Sequence, residues 1–349
     1  MANLQDVANA AGVSKATVSR FLNGSIHLPE RTAEAINKAI RALDYTPNPH
    51  ARRLSLGRSD TIALIVPDIA SPFFATLVGA VEAEASLLGL SVALYATLNS
   101  LEREMSYLDL VRQGHADGLI FITNHPDTDC LVAKINTLTR CVVVDEDVSG
   151  VAAQKLFCDN HQGGFLAGRR LSRDGHRKVM FVGESDLMLS GSRRWQGFVA
   201  GLEDPAQPPA QLLRHEGSYT VASGREAGRR FLAMSPAMRP SAIFATSDEL
   251  LIGLCEVLRA ASVVIPRDVS LIGFDDVGPL HLFAPPITAV RQPVRALGQR
   301  ALQLLMCTTA DPAPQAPAEE LMPVTLIERN SVAPPITLLD RNANREDLP

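Results

Sequence analysis

Apolar positions recur every three or four residues through the first 45 residues and gather into short continuous runs beyond residue 60, so the chain changes architecture there. In the first part, Val7, Ala8 and Ala11 share a helical face before Gly12 breaks the run. Asn3 is placed to cap that helix, and Asp6 suits its positive end. Ser14 opens a second helix with Val18, Phe21 and Leu22 inward and Lys15, Ala16, Ser19 and Arg20 outward. A third helix, opened by Pro29 and Glu30, carries Ile36, Ile40 and Leu43 and closes a small three-helix core. Two short helices about a glycine turn form the unit that lays its second helix in a DNA major groove. A long flat guanidinium matches the paired acceptors of guanine, which makes Arg20 the first choice for base readout.

The stretch TPNPHARRLSLGRS follows, where Pro47 and Pro49 stop the third helix and Arg52, Arg53 and Arg58 surround an isolated Leu54. It reads as a linker with DNA-facing chemistry. From Thr61 onward the runs TIALIVPDI, LSVALYAT, GLIFIT, RCVVVDE, KVMFVGES, SAIFATSD and VSLIGFDD alternate with helical stretches. Buried β-branched runs separated by helices predict parallel strands joined by right-handed crossovers, and the length accommodates two such sheets. Ligands in this architecture sit at the carboxyl ends of strands, which places a cleft between two lobes.

Through LQDVANAAGVSKATVSRFLN, LDYTPNPHARRL and the strand-end stretches below, the sequence resembles the lactose-repressor/galactose-repressor (LacI/GalR) family of bacterial transcription regulators, over nearly its whole length. The resemblance implies an α/β chain: a three-helix helix-turn-helix DNA-binding domain (1–46), a hinge (47–60), a two-lobed periplasmic-binding-protein-like core of parallel sheets flanked by helices (61–340), and a tail (341–349). The N-lobe would take residues 61–160 and 293–322 and the C-lobe 161–290 and 325–340, with chain crossings near 159–162, 290–293 and 322–325. Base contacts map onto Lys15, Ala16 and Arg20, with Thr17, Ser19 and Asn23 nearer the phosphates. Ala16 offers only a methyl group, so Lys15 and Arg20 carry most of the hydrogen-bonded specificity. Arg52 and Leu54 fall in the hinge, where the family presses a leucine from each protomer into the minor groove and kinks the duplex.

Several strand-end residues have the chemistry of a polyhydroxyl pocket, in which carboxylates and a guanidinium meet hydroxyls while aromatic rings cover an apolar sugar face. They are Ser71, Phe73 and Phe74 in SPFF, Asp145 in VVVDED, Ser190 and Arg194 in SGSRRWQGF, Tyr219 in EGSY, Ser247 and Asp248 in FATSD, Asp275 in GFDD and Gln292 in VRQP. Arg194 and Asp275 lead this set, either toward a ligand or toward each other as an internal salt bridge. Trp195 reads as core. One departure matters: the family very often carries Asn-Asp where FATSD places Ser247, whose shorter side chain reaches less far, so no relative's effector is inherited safely. A sugar, sugar acid or sugar phosphate remains open, as does a purine-like corepressor.

Charge divides along the same boundary. Residues 1–60 hold eight Lys/Arg against five Asp/Glu, a balance of +3, so the remainder is −8 within a net charge of −5. Only the amino-terminal part welcomes phosphate, and +3 per chain favours two chains acting together with salt-sensitive affinity. No signal peptide or membrane span is legible, and five scattered cysteines without CxxC suggest reduced cytoplasmic thiols. The chain lacks GxSxG, HExxH and GxxxxGK[ST], and its eight histidines lack metal spacing, so neither enzyme, cofactor nor metal is expected. The GGFLAG run at 163–168 reads as close helix packing, and the turn PDIASPFF has no dinucleotide-binding glycines. A solute-binding protein would explain the core but not the DNA-reading head. The expected partners are therefore pseudo-palindromic operator DNA, a small effector and a second copy of the chain. The dimer contact is expected from the lobes' outer helices, such as the one at 72–88 with Phe74, Leu77, Val78 and Val81, although some of this stripe must face its own sheet; a tail without leucine heptads argues against a tetramer.

Overall fold

The structure, a computed structural model, describes residues 2–46, 59–125, 128–184, 188–307 and 319–335, which divide into two bodies. The first contains α1 (Leu4–Ala11), α2 (Lys15–Leu22) and α3 (Glu30–Ala42). Asn3 and Asp6 form a reciprocal capping box at α1, and Gly12 ends that helix at φ 67°, a left-handed value that favours glycine. Val7, Ala8, Val18, Ile36 and Ala39 are buried together, with Phe21, Leu22, Ile40 and Leu43 packed around them. The same body includes residues 114–117: the Asp117 carboxylate accepts the Ser59 N–H at 2.6 Å, its hydroxyl at 2.9 Å and the Asp60 N–H at 2.7 Å.

The second body begins at Thr61 and carries two six-stranded sheets. Its first lobe is built from β1 (Thr61–Val66), α4 (Pro72–Leu87), β2 (Ser91–Ala96), α5 (Leu101–Leu110), β3 (Gly118–Phe121), α6 (Asp129–Ile135), β4 (Cys141–Val144) and β5 (Gln154–Cys158). Its second lobe contains α7 (Asn160–Arg173), β6 (Lys178–Gly183), α8 (Leu189–Leu202), β7 (Gln211–Glu216), α9 (Val221–Ala233), β8 (Ala242–Ala245), α10 (Asp248–Ala260), β9 (Ser270–Phe274) and β10 (Thr288–Arg291). The chain then returns through α11 (Val294–Cys307) to β11 (Glu319–Met322) and crosses again into β12 (Thr325–Ile327). Strand order is β11-β5-β4-β3-β1-β2 in one sheet and β12-β10-β9-β8-β6-β7 in the other. All pairings are parallel except the one between β10 and β12.

The central strands are buried on both faces, which is why β1, β3 and β4 read as unbroken apolar runs. On α4, most of the stripe expected at the dimer contact faces its own sheet. Phe74, Leu77 and Val81 are buried in the first lobe's own core and Val78 packs partly against it, because that face of α4 lies on the sheet and on α11. The glycines of GGFLAG pack closely: a Cβ on Gly164 would stand 2.0 Å from the Arg194 carbonyl oxygen, and one on Gly168 2.3 Å from that of Phe198. Gly197 and Gly201 reciprocate, since their Cβ atoms would meet the carbonyls of His161 and Phe165 at 1.9 and 2.2 Å. Backbone therefore touches backbone between α7 and α8.

Candidate functional site

The first site is the outer face of α2. Lys15, Ala16 and Arg20 are exposed, whereas Thr17, Ser19 and Asn23 are half-buried. The Ser14 hydroxyl accepts the Thr17 N–H at 3.0 Å and lies 2.8 Å from the Thr17 hydroxyl, so Thr17 is engaged in the cap. That leaves Lys15 and Arg20 as the long donors projecting from this face. At the other end, the Arg20 carbonyl accepts the Ser25 N–H at 2.9 Å and the Ser25 hydroxyl at 3.0 Å, which fixes where α2 stops. Arg52 and Leu54 lie outside the described residues.

The second site is a cavity of about 120 Å³ where the carboxyl ends of both sheets converge. At about 30 Å³ per water, it has room for roughly four waters or one compact ligand. Ser71, Phe73, Phe74, Asp145, Ser190, Arg194, Tyr219, Ser247, Asp248, Asp275 and Gln292 all lie in its wall. Asp68, Asn99, Asn124, Glu146, Thr220 and Glu249 join them, and sequence reasoning missed these six. A signal was available: Asp68, Asn99 and Asn124 follow β1, β2 and β3 within three residues, the same strand-end position that singled out Asp145.

Each lobe supplies its side chains by the same local device, a strand that turns into a helix or loop at its carboxyl end. Asp145 after β4 and Asp275 after β9 both hold left-handed backbones, at φ 72° and 64°. Such values are costly for residues with a Cβ and gather at functional sites. Phe73 and Phe74 meet edge to face, their ring centres 5.2 Å apart. The Ser247 hydroxyl accepts the Leu250 N–H at 3.2 Å and caps α10, so it serves the helix as well as the cavity. Asn124 donates to Asn99 at 3.1 Å. Trp195 stands edge-on to Phe181 at 5.0 Å and packs against the apolar core.

Arg194 enters from α8 and is 4% exposed. Its Nε donates to Asn160 Oδ1 at 2.8 Å and its Nη1 to the Thr246 carbonyl at 2.6 Å, while the guanidinium stacks 3.8 Å from the centre of the Phe274 ring. Among the described residues it makes no ion pair, and Asp275 accepts from Gln292 Nε2 instead. Glu146 ties the lobes together: its carboxylate accepts the Ser190 N–H at 3.1 Å and the Ser190 hydroxyl.

Electrostatically the cavity is crowded with acid. Burial, together with neighbouring carboxylates, pushes Asp145 up to about 7; burial also lifts Glu146 to about 7 against the opposing pull of Ser190 and Arg194. Asp248 reaches about 7, through burial and the charge of Asp275. Nearby Glu184 reaches about 7 by burial. Burial raises Asp275 as well, although Arg194 and Gln292 oppose it. Among the described residues, the buried atoms Asp145 Oδ1, Asp248 Oδ2 and Gln292 Oε1 have no hydrogen-bond partner. Aromatic faces beside surplus acceptors suit a ligand rich in hydroxyl or amine donors.

Comparison with known proteins gives the family. Residues 3–48 match the family described as bacterial regulatory proteins, lacI family, and residues 169–332 match a periplasmic binding protein-like domain. The HTH-type transcriptional repressor PurR of Erwinia tasmaniensis is 31% identical over 335 residues, covering 95% of this chain and 97% of its own. The chain belongs to the lacI family. This lacI-family protein is accordingly a DNA-binding transcriptional repressor that acts by binding rather than by catalysis. The lac repressor dimer bound to operator and the anti-inducer ONPF is similar in structure, with a TM-score of 0.80, 25% identity and coverage of 95% of this chain and 99% of that one. A LacI family regulator from Enterococcus faecium with bound ribose gives a TM-score of 0.69 at 28% identity, over 78% of this chain and 99% of its own. Among the described residues of this lacI-family repressor, no helix is long and apolar enough to cross a membrane.

Proposed function

We propose that this repressor reads a pseudo-palindromic operator as a homodimer in the cytoplasm, and that a sugar or sugar derivative held between the core lobes sets its operator affinity. Lys15 and Arg20 would read base edges. Ala16 would add a methyl contact, Thr17, Ser19 and Asn23 would meet phosphates, and Arg52 and Leu54 would act in the minor groove. The observation that carries the effector reading is the cavity, to which the strand ends of both lobes contribute. Glu146 of the first lobe already grips Ser190 of the second, so a ligand that competes for or completes this contact changes the lobe angle. The relatives support the same reading, since one is a repressor dimer on operator DNA and another carries ribose. For the dimer face, the apolar surface near edge strand β2 replaces the buried α4 stripe: Ile69, Leu87, Leu94 and Leu98 are exposed at 50, 83, 40 and 56%.

Selection of genomic fragments by the purified protein, followed by affinity measurement on the winners, tests this reading. It expects clear preference for particular fragments over bulk DNA. It also expects a sugar-class compound to change that affinity by about 5 to 150-fold, the usual scale of coupling between two sites. No preference for any fragment, with or without such compounds, would refute it.

A further inference from the structure

A molecule entering the cleft meets two acidic jaws. Asp68, Asp145 and Glu146 stand on the first lobe and Asp248, Glu249 and Asp275 on the second, with Arg194 as the single cation among the described residues of the lining. Several of these carboxylates repel one another: Asp68 acts on Glu249 and Asp275 on Asp145 from opposite lobes, and Asp275 also acts on Asp248. The charge of Arg194 pulls Asp145, Glu146 and Asp275 down, but it is one positive charge against six carboxylates, and two of its nitrogens are already held by Asn160 and the Thr246 carbonyl. Among the described residues, four buried atoms of the lining have no hydrogen-bond partner: Asp145 Oδ1, Asp248 Oδ2 and Gln292 Oε1, acceptors on residues at least nine-tenths buried, and the Tyr219 hydroxyl, which can donate or accept.

Resting on the effector reading above, we propose that the ligand of this cavity is a small organic cation, an ammonium-bearing polyol of the amino-sugar class. An ammonium brings three N–H donors and a positive charge to a site short of both. Phe73, Phe74 and Tyr219 line the cavity, and aromatic rings attract a cation and cover the apolar side of a sugar ring, as the Arg194 guanidinium over the Tyr219 ring at 5.8 Å illustrates. An anionic sugar derivative would add charge of the sign already in excess. A metal ion is a poorer fit, since among the described residues no group of three or more His, Cys, Asp or Glu is arranged to hold one. Burial keeps Asp145, Glu146 and Asp248 partly protonated near neutral pH, and an ammonium between the jaws lets them ionise and draws the lobes together.

The test titrates the full-length protein with glucose, glucosamine, glucuronate and glucose 6-phosphate, and with the galacto and manno counterparts, at fixed ionic strength near neutral pH. Calorimetry and thermal shift read the affinities. In at least one series the amino sugar should bind about tenfold or more tighter than its neutral parent, a gap of one good charge interaction. Both anionic derivatives should bind more weakly than the parent. Asp145→Asn and Asp248→Asn, which preserve side-chain size, should each narrow the gap between amine and parent. Equal binding of amine and parent, tighter binding of an anion, or no binding in any series overturns the assignment. A neutral sugar that binds and shifts operator affinity would leave effector control standing while removing the cationic class. Failure to select any operator fragment would instead strike the repressor reading on which this one rests.

Discussion

Arg194 is a fixed donor fork rather than a loose charge, since its nitrogens reach Asn160 and the Thr246 carbonyl while its plane lies on Phe274. Truncating it to alanine strands both acceptors and leaves the acidic cavity without its cation. Arg194→Ala should therefore cost about 3 kcal/mol of core stability, the scale for removing a buried charged partner, measured by thermal unfolding. It should also leave operator binding intact but insensitive to effector; normal effector response in this variant would remove Arg194 from the site. Arg20→Ala should cost about 1–3 kcal/mol on operator and far less on random duplex, read by anisotropy, and equal losses would make Arg20 a phosphate contact. Arg194 and Asp275 could be chosen from sequence because strand-end and helix-start positions converge in this architecture. Glu146 could not, since its meaning comes from Ser190, 44 residues away in the other lobe. Nor could the sequence decide between a ligand and an internal ion pair for Arg194 and Asp275, because Asn160 and Gln292 take those partners only in three dimensions.

Helix α8 aims Arg194 only because α7 and α8 touch through backbone. A methyl group on Gly164 would overlap the Arg194 carbonyl at 2.0 Å, and no side-chain rotation relieves a clash with backbone. Gly164→Ala should destabilise the core by about 3 kcal/mol, the upper range for overpacking, and weaken effector binding through the tilt it forces on α8. Chemical denaturation would show it, and an unchanged midpoint would mean that α7 and α8 separate without cost. The sequence exposed half of this contact: GGFLAG announced close packing, but nothing local named Gly197 and Gly201 as the opposing surface. Strands were legible in the same uneven way. The apolar runs marked β1, β2, β3, β4, β6, β8 and β9, whereas β7, β11 and β12 are sheet-edge strands whose polar residues, as in QLLRHE and EELM, hide them from a hydrophobic pattern. The α4 stripe was visible too, but periodicity reports only that a face is apolar, not whether its own sheet or another chain covers it.

For the whole protein, acid held in the cavity makes stability depend on pH. Asp145, Glu146, Glu184 and Asp248 sit near 7 in the fold against ordinary values of 3.8 or 4.5, so the folded state binds more protons than the unfolded one between those limits. Stability of the ligand-free protein should thus rise as pH falls from about 8 toward 6, by several degrees in a thermal melt. Buried His176, held near 4, opposes the trend only below its ordinary value of 6.5. A flat melt temperature over that range would mean that the cavity acids are already paired. Operator binding belongs to the same scale: the amino-terminal +3 per chain predicts affinity that falls linearly with the logarithm of salt concentration, and Arg52→Ala should lower that slope by about one.

The path of the chain between the lobes carries one more consequence. Because α11 and β11 complete the first lobe and β12 edges the second, the last portion of the sequence is shared by both. A stop codon shortly after residue 292 would strip an edge strand from each sheet at once, and neither lobe can be expressed as one uninterrupted fragment.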